Sequence, residues 1–168
     1  ALSEVARTDR IEAWMSDAER HALAETGAAY LRGVTDYRGF TAGEGWRHGV
    51  AHGSDLALQL ALSPRLTRAD AELLLSAIAA QVAPAASPYY HHGEPSRLAR
   101  PILFLAKRAD IDDAAWAAWM ISIASSISAM RGAKASMMVM GPPQHGHGGR
   151  WSGGSSGSGS STGTATPS

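Results

Sequence analysis

Two histidines four residues apart, His48 and His52, followed by Asp55, are the residues of this chain whose types and spacing are best suited to chemistry. On one helical turn, imidazoles at i and i+4 can converge on a single ion, and a carboxylate three residues on can add a third ligand. The implied cofactor is a divalent metal. At about 100° per residue, His48, His52, Asp55 and Gln59 share a stripe roughly 60° wide. The segment lacks the glutamate that a zinc-protease helix places beside its first histidine. The same stripe therefore also reads as the polar wall of a groove, its tautomers fixed by backbone carbonyls or by Asp36. A second stripe, Gly45, Gly49 and Gly53, runs beside it, and each glycine costs about 1 kcal/mol relative to alanine inside a helix. Something must lie close against that face, either a neighbouring helix or a ligand.

Further polar groups flank turns on either side. Asp36, Arg38 and Trp46 precede the stripe, and Glu94 and Arg97 follow a later loop that holds Tyr89, Tyr90, His91 and His92. Arg97 can form a structural bridge to Asp36 or Asp55. Glu94 is the candidate general base if the site is catalytic. The run Met137, Met138, Val139, Met140 with His145 and His147 offers soft ligands of the copper type. No Gly-x-Ser-x-Gly elbow, phosphate loop or dinucleotide fingerprint is present.

The elements that position these residues read as helices. Leu2, Val5, Ala6, Ile11 and Trp14 suit a short amphipathic helix ending before residue 16. Ser16 with Glu19 is a capping box that opens a second helix, ending near Gly33. The central helix is expected from about Gly45 to Leu62, stopping before Pro64. Thr67 with Asp70 caps the next, which ends by Pro84. Pro95 suits the first turn of another, kinked at Pro101, and Asp110 or Asp112 opens the last. No segment alternates like a strand, so the expected class is all-α, built of antiparallel helical hairpins and compatible with a HEAT-like α-solenoid. Residues 1–140 form the expected helical domain. Residues 141–168, rich in Gly, Ser, Thr and Pro, are expected to be a flexible tail that cannot bury enough apolar surface to order.

Composition narrows the partners. With 168 residues, 45% of them hydrophobic, the chain can build one core. Fifteen basic and fifteen acidic residues cancel, which argues against nucleic acid or an anionic membrane surface. No apolar run approaches bilayer length. Cysteine is absent, which excludes disulfides and thiolate chemistry and leaves the compartment open between cytoplasm and periplasm.

Four blocks together carry a resemblance: Tyr30-Leu31, Asp36 to Phe40, Gly45 to Asp55, and Gly93 to Ala99. They resemble the signature blocks of a bacterial family, the domain of unknown function 2785, over roughly residues 1–130. The resemblance implies an all-helical fold with no assigned activity, and a family body that extends further toward the N-terminus. Ala1 to Trp14 is similar to an interior helix of such proteins. The uncapped first helix then exposes an apolar flank, and self-association is expected. From Gly132 onward the chain is expected to depart from the pattern.

Two functions follow as expectations. The first is a non-enzymatic helical binding or scaffold module whose groove takes a small polar ligand or a peptide. Its ligand-binding residues are Asp36, Arg38, Trp46, His48, Gly49, His52, Asp55 and Arg97. The alternative is a metal-dependent hydrolase with His48, His52 and Asp55 as ligands and Glu94 as base.

Overall fold

The computed structural model describes residues 1–85 and 89–139 of the chain. Its first helix, α1 (Leu2–Ile11), ends where the buried Asp9 turns the backbone: Asp9 Oδ1 accepts from the N–H groups of Trp14 and Met15 at 3.2 and 2.9 Å. Arg20 donates to the same carboxylate from the next helix, α2 (Asp17–Gly33). The expected capping box opens α2, with Ser16 Oγ accepting from the Glu19 N–H and the Glu19 carboxylate accepting from the Ser16 N–H. After a short hairpin, β1 (Phe40–Thr41) with β2 (Gly45–Trp46), come α3 (Gly49–Ala61) and α4 (Arg68–Val82). The Thr67 hydroxyl caps α4, accepting from the Asp70 N–H. The last two helices are α5 (Glu94–Leu105), with Pro95 in its first turn, and α6 (Asp113–Val139), whose start is capped by Asp112 through the Ala115 N–H.

Each helix packs mainly on the helix two places along the chain, so α1, α3 and α5 form one layer and α2, α4 and α6 the other. That is the order of stacked antiparallel hairpins, as expected for an all-α solenoid-like fold. The core lies between the layers, with Leu31, Leu60, Leu74, Ile78 and Leu105 fully buried. Polar groups stitch neighbouring hairpins together. Gln81 Nε2 donates to the Leu31 carbonyl at 2.6 Å, satisfying the end of α2 from α4. Trp119 Nε1 donates to the Leu75 carbonyl at 2.8 Å, holding α6 on α4.

The central helix differs from the expectation. It starts at Gly49, four residues after Gly45, because the chain before it closes a hairpin. Gly43 and Gly45 adopt positive φ in the turn, and the ladder continues as Arg47 and His48 donate their N–H groups to the Gly39 and Arg38 carbonyls. His48, at φ +42°, lies outside the right-handed region, so α3 cannot begin earlier. The expectation of no strand is corrected accordingly, and the glycine stripe is reduced to Gly49 and Gly53. Met140, His145 and His147, and the Gly/Ser-rich tail, lie outside the described residues.

Candidate functional site

His48 is the residue on which the local structure turns. It is the N-cap of α3 at φ +42° and ψ +40°, the one non-glycine residue with positive φ among the described residues. The left-handed region places its ring toward α5, with Nε2 at 3.2 Å from Glu94 Oε1. The approach is close but misaligned, and buried Nε2 has no hydrogen-bond partner. Glu94, only 3% exposed, opens α5, and its other oxygen accepts from the His92 N–H at 2.8 Å. Gly93 in the left-handed region makes that turn.

An aromatic wall covers this polar floor. The Trp46 ring lies 4.8 Å from that of His48 and 5.5 Å from that of His92, and Phe40 meets Trp46 edge-on across the hairpin. His52 stands one turn into α3, its ring 6.4 Å from that of His48. Phe40 and Trp46 are each 58% exposed, so the wall faces solvent. Gly39 is required beneath it, since any side chain there would occupy the space of the His92 ring. Behind Glu94, Tyr90 donates to the Gln81 carbonyl at 2.7 Å. Burial, aided by Tyr37 and Glu94, raises the Tyr90 phenol well above its usual range, which keeps it a donor.

The remaining predicted residues separate into two groups. Arg97 Nη1 donates to both oxygens of Asp55 at 2.7 and 2.6 Å, joining α5 to α3 as the structural bridge foreseen. Asp36 instead pairs with Arg38 through two guanidinium nitrogens at 2.9 and 2.6 Å. The Arg38 guanidinium beside Asp36, with the Arg38 N–H, holds that carboxyl well below the usual carboxylate range. Glu44 accepts from Arg38 and Arg47, completing an exposed network of alternating charge at the hairpin base.

Gly49 and Gly53 face α2, where Tyr30 lies across them. A Cβ on Gly49 would meet the Tyr30 hydroxyl at 3.4 Å, and one on Gly53 would meet Leu31 Cδ2 at 2.5 Å. Close helix packing accounts for this stripe. Tyr30 also divides two clefts of about 390 and 370 Å³, the first lined by Asp36, Arg47 and Gly49, the second by His52, Gly53 and Leu56.

The metal geometry expected from the i, i+4 histidines is not formed. His48 precedes the helix and turns toward Glu94, whereas Asp55 is engaged by Arg97. Among the described residues no group of three His, Cys, Asp or Glu side chains is arranged to hold an ion. Tyr30, Glu44, Arg47 and His92 join the site without having been singled out by spacing. The one sequence sign of His92 is its place in an aromatic loop directly before Gly93-Glu94.

No curated protein and no solved structure matches the chain. A family model described as "Protein of unknown function (DUF2785)" matches residues 1–140, reaching past Gly132, where the resemblance was expected to end. The chain therefore belongs to that family of unknown function.

Proposed function

We propose that the protein is a non-enzymatic helical binding module that seats a short peptide or a small polar ligand against the Trp46–His92 wall. The observation that carries this reading is His48. A left-handed imidazole residue whose buried nitrogen makes no aligned hydrogen bond is costly on two counts, which the carboxylate facing it at 3.2 Å only partly offsets. A fold keeps such costs where another requirement holds the residue in place. The exposed Phe40 and Trp46 rings beside it supply the aromatic contact area typical of binding surfaces. His52, its ring 6.4 Å from that of His48, lines a cleft of about 370 Å³ on the side of α3 toward α2.

The reading is tested with a library of capped tetrapeptides and the free amino acids, screened by thermal shift and followed by calorimetry. A subset is expected to bind the parent, with Kd raised at least tenfold by Trp46→Ala and by His48→Ala while far-UV circular dichroism is unchanged. Binding that both variants retain, or no binding by any member, would overturn it. The hydrolase alternative needs His48, His52 and Asp55 to converge, and the Asp55–Arg97 bridge weighs against that. Stoichiometric metal in tag-free protein, lost in the His48→Ala, His52→Ala double variant, would favour it instead.

A further inference from the structure

We propose that the exposed stripe of α6 is covered by α6 of a second copy of this chain, in an antiparallel pair related by a two-fold axis. Ala114 to Met130 contains no charged residue. The helix turns one face to α4, where Ala115, Trp116 and Trp119 pack against the core. Beyond that face its apolar residues stand in water, Met120 at 59% and Ile127 at 36% exposure. Among the described residues no helix is long and apolar enough to cross a membrane, and an exposed apolar stripe on a helix is a surface that a protein partner can cover.

The stripe itself identifies that partner. Asp113, Ala117, Met120, Ala124, Ile127 and Arg131 follow one another at spacings of four, three, four, three and four, the seam of a two-helix coiled pair. All six are exposed. Laid antiparallel about an axis near Ser122, the seam complements itself. Asp113 faces Arg131 of the second copy, Ala117 faces Ile127, and Met120 faces Ala124. Every large side chain meets a small one, and each carboxylate meets a guanidinium along about 27 Å of helix. Parallel pairing would instead oppose Asp113 to Asp113 and Ile127 to Ile127, so charge and volume select the antiparallel arrangement.

Sedimentation equilibrium of the full chain over a hundredfold concentration range tests this. A reversible dimer is expected, and Ile127→Glu should weaken it at least tenfold without changing helix content by circular dichroism. Asp113→Arg and Arg131→Asp should each weaken it several-fold, and the double charge reversal should restore it to within about twofold. A monomer at every concentration overturns the proposal. So does a dimer indifferent to Ile127→Glu, or a double reversal as weak as the single variants.

Discussion

The backbone of His48 costs roughly 1–2 kcal/mol relative to a right-handed conformation, because Cβ crowds the following carbonyl. Glycine has no such crowding, so replacing His48 separates the backbone from the ring. His48→Ala and His48→Gly both remove the imidazole facing Glu94 and stacked near Trp46. Only the glycine variant also removes the left-handed strain. His48→Gly is therefore expected to be more stable than His48→Ala by about 1 kcal/mol in urea unfolding. Equal stability of the two would place His48 outside the left-handed region in solution. This is also where the sequence was hardest to read at the residue scale. The spacing of His48 and His52 suggested shared ligation on one turn, and spacing alone cannot register that the first of them is bent out of the helix. Glu94 and Arg97 were legible as charged groups beside a turn, although their partners, His48 and Asp55, could be chosen only from the structure.

Among the elements, the α2–α3 contact depends on glycine in one place and not in another. Gly53 brings α3 against Leu31, with Cγ 2.8 Å and Cδ2 2.5 Å from where a Cβ would stand, whereas a Cβ on Gly33 would meet nothing within 4 Å. Gly53→Ala should cost about 1–3 kcal/mol through overpacking. Gly33→Ala, at the last residue of α2, should leave stability unchanged or raise it by up to about 1 kcal/mol. Chemical denaturation of the pair checks both, and equal midpoints would remove close packing as the reason for Gly53. The helix starts at Ser16 and Thr67 were readable, since a cap is a local hydrogen bond between residues a turn apart, and the start at Pro95 was readable because its missing N–H suits a first turn. The hairpin was not. Gly45, Gly49 and Gly53 repeat every four residues, yet Gly45 serves a turn at φ +77° while the other two serve packing. A glycine records that a side chain is unwelcome, not whether the backbone or a neighbour excludes it.

Across the whole molecule, ion pairs at the starts of α2, α4 and α6 tie neighbouring helices together, and they give stability a definite dependence on pH. Arg20 and the N–H groups of Met15 and Trp14 hold the Asp9 carboxyl down at about 2, against burial, which opposes the shift. Its contribution is present above the ordinary value of 3.8 and is lost as pH falls toward 2, a change of about 2 kcal/mol. On the other side, His21 Nδ1 lies 2.5 Å from Asp70 Oδ1, and that hydrogen bond raises the imidazole above 6.5. A raised imidazole stabilises the fold below its unfolded value and ceases to do so as pH rises through its folded value. Asp70 is pushed up by burial, but the Thr67 hydroxyl and His21 outweigh this and leave it lowered, so the carboxylate persists throughout that range. The urea midpoint should therefore peak in mild acid and decline on both sides. His21→Gln should flatten the decline above pH 6.5 while leaving the acid limb intact. Asp9→Asn should flatten the acid limb and, by leaving the buried Arg20 only the exposed Asp17 as counter-charge, cost up to about 3 kcal/mol at neutral pH. The alkaline limb is the sharper test, because it separates the His21–Asp70 link from the Asp9–Arg20 pair. If the parent and His21→Gln decline in parallel as pH rises above 6.5, the His21–Asp70 link does not tie α2 to α4 in solution.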